Sequence, residues 1–195
     1  MQPLTAADIV DIARYEAERP QFRAKVIEIK KHRRVPVGDR MTFLFENRDT
    51  VRFQIQEMMR AERIVIEDRI REEVDSYNEL IPGPRQLSAT AFIEITDKHN
   101  LRPFLDQLIG IDRRGTTFIA IGDGRVEGEY EGGHGNEARI GAVHYVTFDL
   151  TPEQARAIAP GGPPVKLVVG HPNYHHETVL SDDVRASLAG DLSDA

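Results

Sequence analysis

Residues 117–130, TFIAIGDGRVEGEY, and residues 140–150, IGAVHYVTFDL, decide the fold class. Both stretches are rich in β-branched and aromatic residues, and glycines punctuate them where chains turn. In the second stretch Val143 and Tyr145 alternate against His144, Val146 and Phe148, the period-two signature of a strand with one buried face. The first stretch divides at Gly122-Asp123-Gly124 into strands over Thr117–Ile121 and Arg125–Tyr130, which reads as a hairpin. Outward from these, Leu87–Thr96 alternates in the same way, Val165–Gly170 is an apolar run of strand length, and Met41–Phe45 is a short buried strand.

Helical signals lie mainly on the N-terminal side. Thr5 and Asp8 match a capping pattern before a first helix that the sequence ends near Glu18, ahead of Pro20. Phe22, Val26 and Ile29 then step at helical spacing toward the basic run Lys30-Lys31-His32-Arg33-Arg34. Val51, Ile55, Met58 and Met59 form the strongest apolar stripe, in a helix capped by Asp49 or Thr50. It continues past a break near Ile64–Ile66 through Glu67 to Tyr77. Shorter helices follow over Asn100–Gly110, Thr151–Ala159 and from Ser181 to about Ala189. Helices first and strands afterwards predict an α+β fold, with N-terminal helices, one of them a long core helix, packed on a mostly antiparallel sheet. A chain of 195 residues fits one domain over residues 1–190, with residues 191–195 as a flexible tail.

Composition excludes several chemistries. There is no cysteine, so disulfides, thiolate nucleophiles and cysteine-held metal clusters are not available to this chain. A net charge of −7 argues against general nucleic-acid binding or an anionic membrane surface. No apolar run approaches the ~20 residues of a membrane span, and MQPLTAADIV is no signal peptide, so the expected location is cytoplasmic.

Two groups of residues can carry chemistry. Arg52, Gln56, Arg60 and Arg63 fall on one stripe of the core helix, with Arg48 near its entrance. Guanidinium groups at this spacing can grip a carboxylate or phosphate, or form a solvated charged face. Glu46 or Glu94 is the expected acidic counterpart of the stripe. His171-Pro172-Asn173-Tyr174-His175-His176-Glu177 offers imidazoles and a carboxylate for a transition metal, with His144 as a further ligand, or is simply a surface loop. A short return from the Ile140–Leu150 strand through one helix to Val165–Gly170 makes these strands expected neighbours, bringing His144 toward His171. Glu127, Glu129 and Glu131 alternate onto one side of a strand, within a glycine-rich stretch that includes His134 and Glu137. That pattern suits a cation site or a charged edge strand.

The run Leu44-Phe45-Glu46-Asn47-Arg48-Asp49-Thr50-Val51-Arg52-Phe53-Gln54-Ile55-Gln56-Glu57-Met58 resembles the bacterial domain-of-unknown-function family 3501. Arg19-Pro20-Gln21-Phe22-Arg23, Tyr77-Asn78-Glu79-Leu80-Ile81-Pro82, Ala142-Val143-His144-Tyr145 and His171-Pro172-x-Tyr174 extend the likeness over nearly the whole chain. The resemblance implies no catalytic residues. It implies a companion of rubrerythrin-like di-iron proteins and iron–sulfur oxidoreductases, hence a binding or accessory component whose partner holds the electron carriers. The alternative is a metal-dependent enzyme acting on a small anionic substrate through the histidines, Glu46 and the arginine stripe.

Overall fold

The structure, a computed structural model, describes residues 1–95, 98–131 and 140–193. Eight strands form one antiparallel sheet in the order β1-β2-β3-β6-β5-β4-β7-β8. They are β1 (Arg34–Val37), β2 (Met41–Phe45), β3 (Gln86–Ile93), β4 (Thr117–Ile121), β5 (Gly124–Tyr130), β6 (Val143–Asp149), β7 (Val165–His171) and β8 (Tyr174–Val179). The helices are α1 (Ile12–Lys31), α2 (Arg48–Glu62), α3 (Glu67–Asn78), α4 (Lys98–Gln107), α5 (Pro152–Ala157) and α6 (Asp182–Ser193), preceded by a single 3₁₀ turn at Ala6–Asp8. The α+β class and the antiparallel sheet are as the sequence predicts.

The sheet curls until its edge strands meet, giving a nearly closed barrel. Side chains stitch the seam: the Tyr174 hydroxyl donates to Val37 O (2.7 Å) and accepts from the Arg40 N–H (3.0 Å), while Thr178 Oγ1 donates to Pro36 O (2.6 Å). Pro36 has no N–H to offer a further strand, which protects this edge. Alternate residues fill the interior, among them Phe43, Phe45, Leu87, Ile119, Val146, Phe148, Leu167 and Val169. Gly128 is required on β5 because a Cβ there would lie 2.8 Å from the Val146 side chain and 2.9 Å from Thr117 O. Leu105 of α4, Ile158 beyond α5, and Val184, Leu188 and Leu192 of α6 complete this core.

Outside the barrel, Val51, Ile55 and Met59 of α2 pack with Leu4, Ile64, Val74, Leu80 and Ile81 in a second cluster. The Asn47 side chain caps α2 by accepting from the Thr50 N–H (3.0 Å), so the cap lies before Asp49 and Thr50, which are themselves in the first turn. Arg63, at φ 54, ends α2 in the left-handed conformation, which is the physical form of the break before α3.

Four expectations change. Pro20 does not split the first helices: α1 runs through it, since Tyr15, Phe22 and Val26 pack along one continuous face and offset the lost backbone bond. β6 and β7 are not neighbours, because the β4–β5 hairpin lies between them and α5 carries the chain past it. The histidine-rich segment is no loop: Pro172-Asn173 is a two-residue turn and Tyr174–Val179 is strand β8. The expected tail begins too early, because α6 extends to Ser193 with Leu192 buried and Asp191 paired to Arg33.

Candidate functional site

The arginine stripe of α2 is bound within the molecule. Arg48 Nη2 meets Asp8 Oδ1 at 2.6 Å, and Arg60 Nε meets Glu16 Oε1 at 2.6 Å. Arg52 lies over the Phe22 ring, 5.3 Å from its centroid, with its Nε buried and without a hydrogen-bond partner among the described residues. Buried Gln56 reads the Val10 backbone in both directions, accepting from its N–H (2.8 Å) and donating to its carbonyl (3.1 Å). The acidic counterparts are therefore Asp8 and Glu16 of the N-terminal segment, not Glu46 or Glu94. Beside the stripe, Glu57 takes both prongs of Arg19 (2.7 and 2.9 Å) and the Tyr15 hydroxyl (2.6 Å). The Arg19 contact holds the Glu57 carboxyl down at about 2, and the Arg48 contact holds Asp8 at about 2 as well.

Glu46 is 1% exposed and faces two hydroxyls, Thr90 Oγ1 at 2.6 Å and Thr50 Oγ1. It ties α2 to β3 rather than opening to a cleft. Glu94 accepts from Thr42 Oγ1 at 2.8 Å. Three members of the basic run are likewise engaged within the chain. Arg33 is buried, donating to Phe45 O, Glu46 O and Ser187 Oγ and pairing with Asp191. Lys30 stacks on Phe53, and Lys31 pairs with Glu28.

The histidines are not brought together by strand pairing. His144 sits on β6 with Nε2 against Gly141 O (2.9 Å) and its ring edge-on to Tyr130. Buried His171, on β7 with β5 and β4 in between, has Nε2 against Ile109 O (3.2 Å) and accepts the Asn173 N–H at Nδ1 (3.2 Å). His175 projects from β8 and is exposed. No group of three or more histidine, aspartate or glutamate side chains is placed to hold a metal among the described residues. On β5, Glu127 pairs with Arg125 and Glu129 lies 3.8 Å from Arg114, so both face cations of this chain. His134 and Glu137 lie outside the described residues.

Sequence reading missed a cleft of about 510 Å³ between α5 and α6. It is lined by Arg85, Pro152, Ala155, Arg156, Ala159, Ala189 and Leu192. Its construction is local. The Leu150 N–H donates to Arg85 O (2.9 Å), which sets the turn before β3 beside the start of α5. Thr151 and Gln154 form a capping box that fixes α5, placing Pro152 and Arg156 one turn apart on one face. Arg185 of α6 clamps the far end, donating to Ile158 O (2.9 Å), Ala157 O (3.2 Å) and Ala159 O (2.6 Å). The alanines keep the helices from filling the gap. Neither the Arg85 nor the Arg156 guanidinium has a hydrogen-bond or ion-pair partner among the described residues. Arg85 also holds φ 52, a conformation about 1 kcal/mol dearer for a residue with a Cβ than for glycine. Arg63 holds the same conformation where it ends α2, and Arg85 holds it in the turn that enters β3.

Among the described residues no helix is long and apolar enough to cross a membrane. No curated protein matches the chain. A crystal structure of a protein of unknown function from Burkholderia pseudomallei is similar to it, with a TM-score of 0.90 and 33% identity, covering 98% of this chain and 100% of that one. The DUF3501 family, described as a protein of unknown function, matches residues 3–192, a span that contains the Glu46–Met58 string, and this chain belongs to that family.

Proposed function

We propose that this protein is a cytoplasmic binding component that recognises an anionic, apolar-bodied group in the α5–α6 cleft. Its context is redox or oxidative-stress chemistry, beside a rubrerythrin-like or iron–sulfur oxidoreductase partner that holds the electron carriers. One observation carries the binding role: Arg85 and Arg156 border an apolar lining without a hydrogen-bond or ion-pair partner among the described residues, while Arg48, Arg60 and Arg52 of the α2 stripe are held by Asp8, Glu16 and the Phe22 ring. In a chain of net charge −7, two unpaired cations beside an apolar surface favour a ligand carrying negative charge. The partner class is what the family resemblance implies. The helical layer serves as the frame of this reading: α2 is its core helix, seated toward the sheet through Thr50, Glu46 and Thr90.

The test is complex formation with a purified oxidoreductase of that type, followed by gel filtration and by tryptic footprinting of α5 and α6. Co-elution weakened by Arg85→Glu with Arg156→Glu supports the reading. A stoichiometric transition metal in the purified chain, with no effect of the double replacement, overturns it in favour of the metal-dependent enzyme.

A further inference from the structure

We infer that the group the cleft takes is a free linear monocarboxylate, an acid with an unbranched hydrocarbon body of about eight to ten carbons. This rests on the α5–α6 cleft being the recognition site. From Pro152 to Ala159 the lining spans seven residues of chain, about 10 Å at helical rise. That length matches such a body. The lining side chains between the arginines and α6 are proline, alanine and leucine, which carry no hydrogen-bonding group. The carbonyls of Ala157, Ile158 and Ala159, at the end of α5, already accept from Arg185.

A peptide laid in this groove would bury N–H and C=O groups against partners that cannot answer them. An alkyl chain buries none. All polar recognition is therefore left to the head group, and the two guanidiniums, each a planar fork of donors, suit a carboxylate. A volume of about 510 Å³ falls within the range of small-molecule sites. Arg85 contributes from the turn before β3 and Arg156 from α5, so the head group bridges two elements that meet at the end of the β3–β6 ladder, just past the Gln86–Asp149 pair and the Arg85–Leu150 bond. Bound ligand would tighten that junction.

The experiment is calorimetric titration of the full chain with octanoate, kept below its micelle concentration, beside octan-1-ol and beside vesicles of anionic phospholipid. The expected result is saturable one-to-one binding of octanoate. Octan-1-ol should bind about tenfold more weakly, as should octanoate to Arg85→Gln with Arg156→Gln, because charge-assisted contacts are lost. Ala155→Phe, which fills the groove while keeping both arginines, should abolish binding with the circular dichroism spectrum unchanged. Equal affinity for octan-1-ol, or octanoate binding that neither variant changes, overturns the inference. So does binding to vesicles without binding to octanoate, which would assign the arginines to a lipid surface. If octanoate does not bind but the arginine variants still weaken the oxidoreductase complex, this inference falls and the proposed function stands. If neither is affected, both fall.

Discussion

The α2 stripe presents its arginines along one helix and the α5–α6 cleft brings two together from separate elements, Arg85 before β3 and Arg156 on α5, and their fates differ. On α2, Arg48 and Arg60 are met by Asp8 and Glu16, and Arg52 by the Phe22 ring, so the charges fasten α1 and the N-terminal segment to the helix. On the cleft, Arg85 and Arg156 face alanine, proline and leucine. Spacing tells which side chains share a face, but only the opposite surface decides whether a charge is structural or available. For α2 that surface is Asp8 of the N-terminal turn with Glu16 and Phe22 of α1; for the cleft it is a helix whose facing positions are Ala189 and Leu192.

This contrast can be broken most forcefully at the buried anchors of the helical layer. Arg33→Ala should cost about 3–5 kcal/mol by leaving Asp191 and two carbonyls without their donor, measured by urea unfolding. Ile55→Ala, at a fully buried position of α2, should cost about 2–5 kcal/mol, and a loss under about 0.5 kcal/mol would contradict its place in the core. Gln56→Leu strands the Val10 N–H and carbonyl and should cost about 1–3 kcal/mol.

Acid sharpens the comparison. Glu57 and Asp8 both titrate at about 2 in the folded chain, below their ordinary 4.5 and 3.8. A depressed carboxyl stabilises fully above its ordinary value and loses that contribution as pH falls toward the folded value. Unfolding free energy should therefore decline between about pH 4.5 and pH 2, and Glu57→Gln should flatten the decline. A decline of unchanged slope in that variant would remove Glu57 from the account. At the small end, Arg85→Gln with Arg156→Gln should change stability by less than about 0.5 kcal/mol, since no intramolecular partner is lost.

Period-two alternation made most of the barrel legible, because strands half-buried against one core must alternate: Val126 on β5, and Val146 and Phe148 on β6, are buried where the pattern puts them. β8 escaped notice because His175, His176 and Glu177 suggested ligands, although Tyr174 and Thr178 point to the seam side in strand register. Strand order was not legible either. Neighbourhood of β6 and β7 followed from chain economy, and the β4–β5 hairpin, whose place depends on Gly128 allowing close approach, occupies that position instead. The arginine stripe was visible, but its partners were not, since Asp8 and Glu16 reach it only through tertiary packing. Nothing local marked the cleft: Ala155, Ala159 and Ala189 read as ordinary helix formers, and the adjacency of Arg85 to α5 depends on the long-range pairing of β3 with β6.

The most direct measurement is an amide ¹H–¹⁵N correlation spectrum of the chain titrated with octanoate. The account predicts shifts concentrated at Arg85, Ala155, Arg156, Ala159, Ala189 and Leu192, with α1 and α2 unmoved. Shifts centred on Arg48, Arg52 and Arg60, or no shifts at all, would contradict it.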